Sequence, residues 1–196
     1  MEIVLDWPDA ADERLRHEVH DVLHAVVAAG GAIGWQRPPG RTDTDAWLDR
    51  VLPLVRKGDA GFVVARVDGV VRATATWQRD PAQVFENCAE LGKVTAHPAT
   101  RGAGLGRMVV GAVVEHAKSA GLEVVYLGVR GNNLGAIELY ESLGFREWGR
   151  LPNSIAVGGT RFDSVRMHLP LGYAPDVVLH GSAPGGLGSS PSRRTP

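Results

Sequence analysis

HPATRGAGLGRMVV, residues 97–110, sets three glycines between two arginines, directly ahead of an apolar run with helical spacing. Glycine at that density marks a backbone that must come close to something, and a phosphate ahead of a helix N-terminus fits. A P-loop needs Gly-Lys-Ser/Thr after its glycines, whereas Gly106 is followed by Arg107 and Met108. A dinucleotide fingerprint starting at Gly102 and Gly104 needs its third glycine where Arg107 stands, and an acid at the end of the next strand. That strand, EVVYLGV, ends without one. The remaining design is Arg-x-x-Gly-x-Gly, filled by Arg101, Gly104 and Gly106. Backbone N–H groups of Gly102, Ala103, Gly104, Leu105 and Gly106 would then form a concave anion site suited to a pyrophosphate, flanked by Arg101 and Arg107. Alone, the short pattern also fits a purely structural glycine turn with solvated arginines.

Outward from this segment the chain reads as alternating strands and helices. AELGKVTA before it is a strand ended by Pro98; Leu105 to Ala120 after it is a helix with Leu105, Met108, Val109, Ala112 and Val113 facing inward. EVVYLGV is a strand, and Asn133 to Leu143 a short helix ended by Gly144. Upstream, MEIVLDW is a first strand and Asp9 to Ala29 a helix, followed by the loop GGAIGWQRPPG. A second helix is capped by Thr42 or Thr44 and runs to Gly58, burying Trp47, Val51, Leu54 and Val55. GFVVARVDGVVRATATW is a hairpin about Asp68-Gly69, and FREWGRL and TRFDSVRMHLPL are two further strands around Gly158-Gly159. The expectation is one α/β (α+β) domain over residues 1–171. A low-complexity, disordered tail over 172–196 follows, including HGSAPGGLGSSPSRRTP.

The totals narrow the class. The 196 residues suit one domain, and a net charge of −1 argues against a general nucleic-acid binder. The single cysteine, Cys88, excludes an intrachain disulfide and a cysteine metal cage. No apolar stretch approaches the roughly 20 residues of a membrane span. The acidic N-terminus lacks the features of a signal peptide, so a cytoplasmic protein without membrane partners is expected.

Forty residues downstream of the glycines, Asn133-x-x-Ala136-x-x-Leu139-Tyr140 is followed by Leu143-Gly144-Phe145. With AELGKVTAHPATRGAGLG, this spacing resembles the GNAT (Gcn5-related) N-acetyltransferase superfamily, over Leu91–Phe145 most specifically and in element order from Met1 to Leu171. GGAIG, Trp47 and WGRLPN resemble the tabtoxin-resistance acetyltransferase group within it. The resemblance implies a mixed, twisted sheet of six to seven strands flanked by about four helices. Two central strands would splay at a bulge, with acetyl-CoA as co-substrate in the gap and no metal.

Acetyl transfer needs a neutral amine, a stabilised carbonyl oxygen and a leaving thiolate. Alkylamines have pKa values near about 10.4, so a carboxylate beside the acceptor serves as general base. Glu90, on the strand that would face the thioester, is the candidate; a solvent-exposed or arginine-paired glutamate is the bland alternative. The resemblance places oxyanion-stabilising N–H groups around Val94, Thr95 and Ala96, and a proton donor for the CoA sulfur at Tyr140. It also sets Asn133, a helix cap, near the pantetheine arm. Trp35 and Trp47 could wall an acceptor pocket or simply pack. Some members carry a carboxylate near the end of the strand ending at Val129; Val129 and Gly131 offer none. The expected activity is acetylation of a small-molecule primary amine, in antibiotic or toxin resistance, by a monomer or homodimer. A protein N-terminal or lysine acetyltransferase and a non-catalytic acetyl-CoA-binding module are the alternatives. His17, His20 and His24 lie nearly opposite the apolar stripe of their helix and read as solvent-facing, not as a metal triad. His97 reads as a turn residue, and nothing marks Cys88 as a nucleophile.

Overall fold

The computed structural model describes residues 1–173, so the expected tail, from 174 onward, lies outside the described residues. Seven strands form one sheet: β1 (Ile3–Asp6), β2 (Ala60–Val67), β3 (Val70–Arg79), β4 (Cys88–Ala96), β5 (Val124–Arg130), β6 (Arg146–Val157) and β7 (Thr160–Pro170). Their spatial order is β1-β2-β3-β4-β5-β7-β6. β4 and β5 run parallel, and every other neighbouring pair is antiparallel. Four helices complete the fold: α1 (Glu13–Ala28), α2 (Arg41–Lys57), α3 (Leu105–Ser119) and α4 (Leu134–Ser142). The mixed sheet and helix count agree with the expected architecture.

Each face of the sheet has its own core. Strand alternation sends Val63, Ala75, Trp77, Leu91, Val125, Leu127 and Met167 to one face, under Val109 and Val113 of α3 and Tyr140 of α4. Phe62, Val64 and Val71 point to the other, under Leu15, Val19, Leu23, Trp47 and Leu48 of α1 and α2. The β2–β3 turn has positive φ at both Asp68 (48°) and Gly69 (82°), as a two-residue hairpin of this twist requires.

Three local readings change. α2 is capped by Gly40, not Thr42 or Thr44: the Gly40 N–H donates to Asp43 Oδ2 at 2.9 Å, while buried Thr44 donates to the Arg41 carbonyl. Met108 is not inward but 36% exposed, because Leu105, Val109, Val110 and Val113 already fill the buried stripe of α3. His20 does not face water: it is half-buried between α1 and α2, with Nδ1 3.3 Å from Thr44 Oγ1. His17 and His24 are exposed, as expected.

Two irregularities open the centre of the sheet. β4 and β5 are paired only from Cys88↔Val124 to Glu90↔Tyr126, after which they part. On its other edge β4 pairs Thr95 with Thr74 and Gly92 with Thr76, so Lys93 and Val94 together oppose Ala75. That extra residue is a β-bulge, and Lys93 takes the left-handed conformation at φ 48°.

Candidate active site

The gap between β4 and β5 opens into a cleft of about 1070 Å³ that runs from the glycine segment to the loop between α1 and α2. At one end a short 3-10 turn, Pro98–Thr100, leads into Gly102 (φ 83°) and Gly104 (φ 73°), the latter capping α3. A Cβ at either glycine would meet nothing within 4 Å, so their left-handed backbone, not protein packing, requires glycine. Arg101, Gly102, Gly104, Leu105, Gly106 and Arg107 all line the cleft. Ala103 does not; it packs against the core instead. Arg107 Nη2 donates to Ser142 Oγ at 2.6 Å, which ties α3 to the end of α4. His97 caps the 3-10 turn by accepting from the Ala99 N–H at 3.2 Å, in line with its reading as a turn residue.

α4 forms the wall beyond. Asn133 caps it, Oδ1 accepting from the Ala136 N–H at 3.4 Å, and also lines the cleft. Tyr140 is 8% exposed, its ring 5.6 Å from that of Phe145, and its hydroxyl has no hydrogen-bond partner among the described residues. Burial pushes its pKa well above that of an ordinary tyrosine, so the hydroxyl stays protonated. Opposite stand Val94, Thr95 and Ala96, on a stretch of β4 that β5 no longer pairs. The buried Thr95 and Thr74 hydroxyls, 2.7 Å apart, and the Thr74 donation to the Lys93 carbonyl at 2.8 Å hold the bulge in place.

The other end of the cleft differs from expectation. Glu90 lines it and is exposed. Trp47 reaches it, yet is a core residue at 5% exposure, edge-on to Phe62 at 5.5 Å. Trp35 is not among the lining residues: the ammonium of Lys93 covers its ring at 4.4 Å and donates to the Ile33 carbonyl at 2.8 Å. Burial, then Arg50, lowers the Lys93 pKa, and Glu90 partly opposes the shift. The bulge aims Lys93 here, a signal that its sequence neighbours do not carry. Tyr126 on β5 donates to Asp80 Oδ2 at 3.0 Å, and burial, then that bond, raises its pKa to about 12. Both residues line the cleft, and sequence reasoning missed both.

Asp80 and Tyr126 also line a second, largely apolar groove of about 580 Å³, with Phe85, Trp148, Arg166 and His168 among its walls. It follows the face of β4, β5 and β7 that α1 and α2 leave uncovered. Two channels therefore meet at Asp80 and Tyr126, one from the glycine segment and one along the sheet. Among the described residues no group of three His, Cys, Asp or Glu could hold a metal, and no helix is long and apolar enough to cross a membrane.

This arrangement has counterparts. A family model described as the acetyltransferase (GNAT) family matches residues 28–145. A mycothiol acetyltransferase of Nocardiopsis dassonvillei is 44% identical over 114 residues, 56% of this chain and 34% of that protein. A ribosomal protein bS18-alanine N-acetyltransferase of Salmonella typhimurium is 34% identical over 89 residues, 45% of this chain and 60% of that protein. The matched segment thus spans less than two thirds of either relative. The solved structure of Salmonella typhimurium yncA with its cofactor acetyl-CoA superposes with a TM-score of 0.76 at 24% identity, covering 91% of this chain and all of that one.

Proposed function

The chain belongs to the acetyltransferase (GNAT) family, and from that premise we propose that it transfers the acetyl group of acetyl-CoA to the primary amine of a small molecule. The observation that carries this reading is the parting of β4 from β5 immediately beside the left-handed glycine turn. The cleft fits the donor: open space above Gly102 and Gly104 admits a pyrophosphate to the backbone, with Arg101 and Arg107 alongside. Asn133 and the unpaired edge of β4 at Val94, Thr95 and Ala96 would line the path of the pantetheine arm. Bound there, the thioester supplies an activated acetyl group. Glu90 takes a proton from the incoming ammonium, directly or through water, so that the amine attacks neutral. N–H groups on the unpaired stretch of β4 stabilise charge on the acetyl oxygen. Tyr140, held protonated by burial, donates to the departing sulfur. The resemblance of GGAIG, Trp47 and WGRLPN to tabtoxin-resistance enzymes supports a small amino-acid-like acceptor and a resistance role.

The relative named for alanine acetylation of ribosomal protein bS18 favours a second reading, in which a protein N-terminus enters the open groove. Thiol release from acetyl-CoA, measured across small amines and short peptides alongside acetyl-CoA affinity, decides. Turnover of small amines above hydrolysis supports the first reading and preference for peptides the second. Binding of acetyl-CoA without turnover leaves a non-catalytic module.

A further inference from the structure

Arg166 lies in the apolar groove, half-buried, and takes part in no ion pair or side-chain hydrogen bond among the described residues. Among the described residues no buried side-chain nitrogen or oxygen lacks a partner, so the five donors of this guanidinium stay open to the groove and available to a ligand. The backbone opposite is shaped to receive it. Arg166 is in register with Gly128 of β5, and a Cβ at Gly128 would stand 3.2 Å from Arg166 Nη1 and 3.6 Å from Cζ. The guanidinium thus lies against bare backbone of a strand that also lines the donor cleft. Next to it β6 spends an extra residue between the pairs Glu147↔Met167 and Gly149↔Arg166. The bulged residue is Trp148, turned out to 62% exposure along the groove, with Phe85 at 53% on the far side.

From the acetyl-transfer reading above, on which this rests, we propose that the acceptor is an amine that also carries a carboxylate, and that Arg166 receives the carboxylate. Charges around the groove fall on two sides. Asp80, just past β3, lines the groove, and Glu90, on β4, lines the adjoining cleft, where Lys93 is turned onto the Ile33 carbonyl; Arg166, with His168, is on β7 across Tyr126. An ammonium is attracted to the first side and a carboxylate to the second, while an apolar body rests on Trp148 and Phe85. The planar fork of arginine matches a carboxylate bidentately, and a doubly charged phosphate would meet stronger repulsion from Asp80 and Glu90. Arg166 is accordingly the specificity-determining residue of the acceptor site, and Gly128 is glycine to make room for it.

Matched acceptor pairs test this: L-leucine against isoamylamine, L-phenylalanine against phenethylamine, and γ-aminobutyrate against butylamine, each followed by CoA thiol release. The full chain should prefer at least one carboxylate member by about 10- to 100-fold in kcat/KM, expressed mainly in KM. In Arg166→Gln that ratio should fall toward one while the KM for acetyl-CoA holds, a double comparison that cancels the intrinsic reactivities of the amines. Arg166→Lys, which keeps the charge without the fork, should retain only part of the preference, and Gly128→Ala should erode it with Arg166 in place. Turnover without a carboxylate preference, or a preference that survives Arg166→Gln, overturns the proposal while leaving acetyl transfer intact. No CoA release from any member by a chain that binds acetyl-CoA overturns both.

Discussion

The ammonium of Lys93 stands 4.4 Å from the centroid of the Trp35 ring, and the same nitrogen holds the Ile33 carbonyl at 2.8 Å. A residue of the central strand thereby fastens the loop between α1 and α2 across the end of the cleft. The aromatic surface that could have received a substrate amine is occupied by the protein's own cation. Lys93→Met keeps the stem and removes both interactions, leaving the Ile33 carbonyl without its donor. It should cost about 1–2 kcal/mol in urea unfolding and raise the acceptor KM as the loop loosens. An unchanged midpoint together with an unchanged KM would show that the loop is held by other means.

Glu90→Gln removes the proposed base without altering size. kcat/KM should fall by about 10² to 10⁴, and the loss should shrink toward alkaline pH, where the amine arrives already neutral. A loss that is uniform from pH 6.5 to 9.5 would assign Glu90 to binding rather than to proton removal. Asp80, 3.0 Å from the Tyr126 hydroxyl, would then be the next carboxylate to test, as Asp80→Asn.

The Tyr140 ring is buried, yet its hydroxyl has no partner among the described residues, so structure and chemistry separate cleanly there. Tyr140→Phe should leave thermal stability within about 0.5 kcal/mol of wild type. It should lower kcat by roughly 10- to 100-fold with little change in the KM for acetyl-CoA. The loss stays moderate because a thiolate, with a conjugate pKa of about 8.5, leaves without full protonation. A large fall in stability with unchanged kcat would mark the tyrosine as a packing residue.

The parts of this arrangement that were legible beforehand are those encoded by local chemistry. Gly102 and Gly104 must be glycine for their positive φ, Asn133 must cap α4, and Asp68-Gly69 must turn; each leaves a mark in adjacent residues. The illegible parts depend on comparing strands. Whether Lys93 points into the cleft is decided by a bulge that only the pairing of β4 with β3 defines. Arg166 and Trp148 read as ordinary members of alternating strands until the sheet order shows which face α1 and α2 fail to cover. Trp47 shows the converse, since an aromatic next to a cleft and one in a core have the same sequence signature.

Acid should weaken the fold in two separable steps. His116 accepts from the Trp77 indole N–H at 3.0 Å and stacks on Trp7 at 4.3 Å, and burial lowers its pKa below the ordinary 6.5. The folded chain therefore binds fewer protons at His116 than the unfolded chain just below pH 6.5, and stability falls as pH drops through that window. Burial lowers the pKa of His20 and His97 as well, in the same sense. Glu18 is buried, which by itself raises its pKa, but donation from Arg14 at 2.9 Å and Arg66 at 2.5 Å more than offsets this and holds it below 4.5. Its contribution is complete above pH 4.5 and is lost only as pH falls below that value. His116→Gln keeps an acceptor for the Trp77 N–H while removing one of the three titrations, so it should make the fall in melting temperature between pH 7 and 5.5 shallower and leave the acidic limb in place. Glu18→Gln should do the reverse, lowering stability at neutral pH and making the limb below pH 4.5 shallower, with Glu147, held down by its bond to Arg150, contributing the remainder. Identical pH profiles for wild type and both variants would place the acid sensitivity elsewhere in the chain.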